Sequence, residues 1–340
     1  MIAPRVKPLF PALLAVCLGL AAGLGREWES RMAVPPFGSD LLRAQSAGEA
    51  EEAEYTSREA RNELGTSQRV YREGGSLKAR YGFINFNRDR LGVTFGMTAG
   101  EYKAYLSGYG YRDSDMARLK IWRDATRQET WERSLRAAGK QAAERAIAEV
   151  DLDYETKLRA MLRARGLALR AGNLVEADIP VVVKRNIPLL KPLALAFQRT
   201  AAERRYAEEE LVGAVLSMVQ TAIRYKIPPA LEGDLHTCGL LPPARALLSG
   251  WGDCDTKTGV LASILGNWNA MRMVGVAVPG HYLMAIRRLP GKGDLFVRYE
   301  GLEYVLVEPA GPAWLEPGMV GQATTALLAG NEGYKLEPFF

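Results

Sequence analysis

GWGDCDTKTGVLASIL, residues 250–265, sets Cys254 between Asp253 and Asp255, directly ahead of a run with helical character. Asp253 is a good helix N-cap, because its carboxylate can accept from the free N–H groups of a first turn. A helix opening there, over about 255–266, puts the Cys254 sulfur where unpaired backbone N–H groups and the helix macrodipole favour a thiolate. Taken alone, a cysteine at a helix start also has an ordinary reading as a small buried hydrophobe.

A reactive thiol needs a proton acceptor, and the chain has two histidines, His236 and His281. His281 stands in VPGHYLMAI, immediately before a strand-like run. Downstream of the Cys254 helix come four such runs, MRMVGVAV, HYLMAIRRL, LFVRY and EYVLVEP, and a helix followed by an antiparallel sheet is an α+β layout. Glu308 ends the last run and can steady an imidazole ring. Cys254, His281 and Glu308 form a triad only under one condition of topology. Residues 303–308 must pair directly with 282–288, leaving 295–299 as an excursion, because a simple meander would put His281 and Glu308 at opposite ends of the sheet.

GWGDCDTK, PGHYLMAI and YVLVEPA resemble the three core motifs of the transglutaminase-like superfamily, a branch of the papain-like cysteine enzymes. The resemblance covers roughly residues 205–315. It implies a papain-like core in which the nucleophile helix packs on an antiparallel sheet, with Cys254 as nucleophile, His281 as base and Glu308 as the residue that orients it. The family more often has Asp at the third place, and Asp294 is the nearest substitute. The implied reaction is acyl transfer on an amide bond of a peptide or protein through a thioester, with no cofactor. Hydrolysis is the first choice over cross-linking; the two differ in which nucleophile arrives second. The Cys254 backbone N–H is one expected oxyanion donor. Gln220, placed upstream as an oxyanion glutamine is in papain-like enzymes, and the Trp251 indole are candidates for the other. A mid-helix Gln packing in place and an aromatic filling the core are the plainer readings of those two.

Outward from this core, residues 1–25 carry only Arg5 and Lys7 as charges before an uncharged stretch from Pro8 to Gly25. They read as a signal peptide or an N-terminal anchor attached through residues 8–25, which makes the protein exported, to periplasm or outside the cell. Cys17 lacks the surroundings expected of a lipid-attachment cysteine. Residues 26–76 are rich in Arg, Glu, Ala, Ser and Gly and read as a low-complexity tether. A hairpin is expected near 80–97, from alternation on both sides of NRDR. Thr98 and Glu101 resemble a capping box. Two charged helices are expected at about 115–149 and 152–171. ADIPVVVKRNIPLLKPL (177–193) reads as a linker or edge strand, closing a mainly helical region over 77–198 ahead of a transglutaminase-like domain over 199–340. Leu211, Val215, Met218 and Ala222 form a helical stripe that ends before Pro228-Pro229.

The net charge of +5, or +3 once Arg5 and Lys7 leave with a leader, selects no particular partner. The basic residues of the long helices alternate with acids, which reads as a solvated face with salt-bridge pairs, so nucleic acid is not expected. Cys238 and Cys254 are too few for a disulfide scaffold, although one bridge between them would mask the thiol. Three rival roles remain at this level. His236, Cys238, Cys254 and His281 could ligate zinc, a redox bridge could regulate the thiol, or the fold could serve as a catalytically silent peptide-binding or envelope-assembly module.

Overall fold

The computed structural model of the chain describes residues 58–61, 65–311, 313–330 and 333–340. The leader, Cys17 and most of the tether lie outside the described residues. The first alternating stretch folds as an antiparallel meander of β1 (Arg58–Arg61), β2 (Ser67–Glu73), β3 (Ser76–Ile84) and β4 (Arg90–Thr98). The expected hairpin is β3–β4, paired from Ser76↔Thr98 to Ile84↔Arg90. The tether is corrected at its end, because Gln68 and Val70 turn one face of β2 inward. From β3 and β4, Leu77, Ala79, Tyr81, Phe83, Leu91, Val93, Phe95 and Met97 are all buried.

Thr98 caps α1 (Ala99–Leu106), with Glu101 N donating to its hydroxyl at 3.2 Å and Thr98 N donating to the Glu101 carboxylate at 2.9 Å. Helices α2 (Asp113–Ala138) and α3 (Lys140–Ala164) form an antiparallel pair, tied by Arg127 to Asp151 and by Arg123 over the Tyr154 ring at 4.8 Å. Their break is at Gly139, with φ 78°, and not near residue 150 as expected. Glycine adopts that left-handed backbone freely, whereas nothing in the run around 150 interrupts a helix.

A short hairpin of β5 (Leu167–Leu169) and β6 (Val175–Ala177) leads to α4 (Ile179–Asn186) and α5 (Lys191–Arg204). The expectation of a linker or edge strand over 177–193 is therefore wrong. Asp178 accepts from Val181 N at 3.1 Å, Pro180 and Pro192 sit in first turns, Pro188 lies in the turn between the two helices, and Ile179, Val182, Val183 and Asn186 bury one helical face. Helix α6 (Glu208–Ala222) is buried at every position from Val212 to Ala222, more completely than a single stripe implies.

The chain continues through β7 (Arg224–Tyr225), β8 (Leu231–Glu232), β9 (Leu235–His236), α7 (Pro243–Ser249) and β10 (Trp251–Gly252). Then comes α8 (Cys254–Leu265), where all residues but Asp255 are buried. A helix apolar all round belongs inside a protein, and α8 lies against α4, α6, α7 and the second sheet.

That sheet comprises β11 (Met273–Val278), β12 (His281–Arg287), β13 (Phe296–Tyr299), β14 (Leu302–Val307) and β15 (Lys335–Pro338), in the spatial order β13-β14-β12-β11-β15. All pairs are antiparallel. Its outer face carries Val274, Val276, Leu283, Ala285, Tyr304 and Leu306, covered in part by Leu327 and Leu328 of α9 (Gln322–Ala329). With both faces covered, β11, β12 and β14 are continuous apolar runs, without the alternation seen in β4. The architecture is α+β. Residues Thr56–Phe340 form one compact unit, and the boundary expected at 198/199 falls inside α5. Among the described residues no helix is long and apolar enough to cross a membrane.

The meander and the turn before α8 meet at one tight point. Gly250 has φ 73°, and a Cβ there would lie 1.0 Å from Gln68 Nε2 on β2. Gly250→Ala is expected to destabilise the protein by about 2–4 kcal/mol in urea unfolding, through left-handed strain and overlap together. Adding Gln68→Ala should restore the overlap component and leave the backbone strain.

Candidate active site

The pairing of β12 with β14 runs from Met284↔Val307 to Arg287↔Tyr304, and β13 lies beyond β14 as the outer strand. This is the topology the triad requires. One step past that register, Glu308 comes opposite Leu283, and His281 is two residues along on the same face of β12, so the two side chains meet diagonally. His281 Nε2 lies 3.1 Å from both carboxylate oxygens of Glu308. The carboxylate is buried, and it also accepts from Thr324 Oγ1 at 2.7 Å and from Ala310 N at 3.3 Å. A proton on Nε2 is fixed by this pairing, which leaves Nδ1 as the basic nitrogen of the ring.

Asp253 caps α8 as its sequence predicts, accepting from Thr256 N at 3.1 Å, and Cys254 opens the helix. Its thiol donates to Asp255 Oδ1 at 3.4 Å. The expected thiolate is not the resting form. Burial first, then the charges of Asp255 and Asp253, push the Cys254 thiol up to about 12. Burial and Asp253 also raise the Asp255 carboxyl to about 6.

Cys254, His281, Asp253 and Asp255 open onto one cleft of about 860 Å³. Its walls come from far apart in the chain, with Arg170 and Glu176 of the β5–β6 hairpin region, Tyr225 of β7, Cys238 and Glu337 of β15 among them. Arg170 pairs with Glu176 at 3.1 Å and with Glu337 at 3.4 Å, and Tyr282 donates to Glu337 at 3.0 Å.

Neither expected oxyanion side chain faces this cleft. Gln220 is buried, with Nε2 donating to Glu308 O at 2.8 Å and Leu315 O at 3.0 Å and Oε1 accepting from Leu315 N at 3.1 Å. Both its donors are spent on holding the 308–315 loop, so it positions the backbone that carries the carboxylate. Trp251 pairs through β10 with β7, its ring under Lys226 Nζ at 4.8 Å. Asp294 binds Arg288 at 2.8 Å and caps its own loop at Gly291 N, so it does not substitute for Glu308. The zinc reading also fails on geometry. His236 stacks on Tyr111 at 4.7 Å and pairs with Asp113 at 3.0 Å. Among the described residues no group of three or more His, Cys, Asp or Glu side chains is arranged to hold a metal ion. Cys238 and Cys254 are both free thiols.

Lys257 was not anticipated. It lies one turn after Cys254, wholly buried, with Nζ donating to Gln220 O at 3.2 Å and Ile223 O at 2.9 Å. Burial brings its ammonium down to about 7, against a raising influence from Glu308. A lone charge in a run of small and apolar residues was the available signal. Thr324 had none, since a threonine in an amphipathic helix is unremarkable in sequence.

Two substitutions probe this wiring. Lys257→Ala is expected to destabilise by about 3 kcal/mol or more, leaving a cavity and two helix-end carbonyls without their donor. Asp255→Asn should stabilise at pH 7 by about 1–2 kcal/mol, because the buried charge is then absent. The sign follows from a carboxyl raised on folding: its penalty is full above pH 6 and gone below about pH 4, where both states are protonated. Urea unfolding of the variant and the parent at both pH values checks this.

A comparison with known protein families, curated proteins and solved structures finds no match to this chain.

Proposed function

We propose that the chain is a papain-like, transglutaminase-like cysteine hydrolase or acyltransferase that acts on amide bonds of peptides or proteins. The observation that carries this reading is His281, held by the buried Glu308 at 3.1 Å and opening onto the same cleft as a cysteine at a capped helix start. With Nε2 committed to Glu308, Nδ1 takes the thiol proton as sulfur attacks the carbonyl carbon. The imidazolium then gives that proton to the leaving amine, and water or a second amine resolves the thioester. A thiol that is protonated at rest makes this general-base attack, without a standing ion pair. The export suggested by residues 1–25 belongs to the same proposal.

A second reading has its own observation. A thiol pushed up to about 12 suits a silent peptide-binding or assembly module that keeps the fold without the reaction. Reactivity separates the two.

Cys254→Ala is expected to fold as the parent does. Iodoacetamide should label Cys254 in preference to Cys238, and His281→Ala should slow that labelling at least about tenfold. In the unliganded protein the rate should climb steadily from pH 7 to 10 with no plateau, as a raised thiol requires. Equal labelling of both cysteines, indifferent to His281, would sink the enzyme reading.

A further inference from the structure

Attack on a carbonyl drives negative charge onto its oxygen, and the expected side-chain donors for that charge, Gln220 and Trp251, are engaged elsewhere. The residue that does reach the place is Tyr225. Strands β7 and β10 run parallel with Tyr225 opposite Gly252, two residues before Cys254. The ribbon is closed by Arg224 N donating to Gly250 O at 3.0 Å and Lys226 N donating to Gly252 O at 3.1 Å. Just upstream, Ile223 is buried and its carbonyl is held by Lys257 Nζ. Tyr225 is therefore fixed from both sides, by the ribbon and by the end of α6.

Its ring opens onto the cleft beside Asp253, Cys254 and Asp255, and the residue is 43% exposed, so a substrate can meet it. The phenol lies close enough to the Cys254 side chain for the two to interact electrostatically. A carbonyl oxygen is one bond from the carbon that sulfur attacks, so a phenol that lines the cleft beside the sulfur is placed to meet the developing oxyanion.

We propose that Tyr225 is a catalytic residue of this site, its O–H binding the carbonyl oxygen as charge develops there, alongside the Cys254 backbone N–H. This inference rests on the acyl-transfer reading. The step is balanced as follows. Sulfur forms its bond to the carbonyl carbon, the thiol proton passes to His281 Nδ1, and the carbonyl π pair moves onto oxygen. Tyr225 donates a hydrogen bond and keeps its proton. It is suited to that, since burial and the nearby Cys254 and Asp253 raise its phenol to about 12, leaving it a donor throughout the physiological range.

Two reactions at the same sulfur isolate the role. Acylation by p-nitrophenyl acetate passes through an oxyanion; alkylation by iodoacetamide displaces iodide from a saturated carbon and does not. In the full chain, Tyr225→Phe should slow acylation of Cys254, followed by intact mass, about 100-fold, while alkylation stays within about threefold and thermal unfolding is unchanged. Tyr225→His, which keeps a donor, should acylate within about tenfold of the parent, and it serves as the test if the phenylalanine variant does not fold. Equal acylation by parent and Tyr225→Phe overturns the assignment, as does a matched fall in both reactions, which would mean that Tyr225 acts on the sulfur alone. A parent that alkylates at Cys254 but is never acylated sinks the acyl-transfer reading, and this inference with it.

Discussion

The whole arrangement turns on burying a helix that carries polar chemistry at its tip. Helix α8 is enclosed on nearly every side, so its backbone must satisfy itself and its first turn must find partners locally. Asp253 meets that demand through Thr256 N, and Thr258 reaches across to the Tyr282 carbonyl at 3.3 Å. The small residues of the helix let α7 and β12 approach closely. Because α8 touches both the helical layer and the second sheet, its first residue is delivered to the end of β12 where His281 begins.

A second consequence of that burial is electrical. Three ionisable groups, Cys254, Asp255 and Lys257, lie within one turn of a helix that excludes water, and each is held toward its neutral form. Glu308 is surrounded by donors, accepting from Thr324, Ala310 and His281. The site thus has a fully hydrogen-bonded carboxylate behind the imidazole and a set of groups around the sulfur whose charge burial disfavours.

Much of this was legible in the chain itself. The Asp253 cap, the helix after it, the β3–β4 hairpin and the crossover that joins β12 to β14 each follow from a local rule or from one topological condition. What was missed shares a cause. Prolines in 177–193 looked like breakers because a proline in a first turn and one in a turn read alike in sequence; Pro180 and Pro192 start helices, the first of them capped by Asp178. Gln220 looked like a donor because sequence shows a residue's chemistry and not which way it faces. Tyr225 reaches the site through its pairing with Gly252 and Thr324 through its bond to Glu308, both beyond the local stretch, so neither carries a signal within its own neighbourhood. The tether was drawn too long because Gln68, a polar residue on the inward face of β2, disguised the alternation.

The cleft is walled by segments as distant as Arg170 and Glu337, which pair across 167 positions of the chain. Closing loops of that length is slow relative to forming the local helices, so those walls come together late in folding. A nascent polypeptide already bearing Cys254 would lack the pocket around it. The pocket is thus a product of long-range closure, whereas the capped helix tip that carries the sulfur is set by a few neighbouring residues.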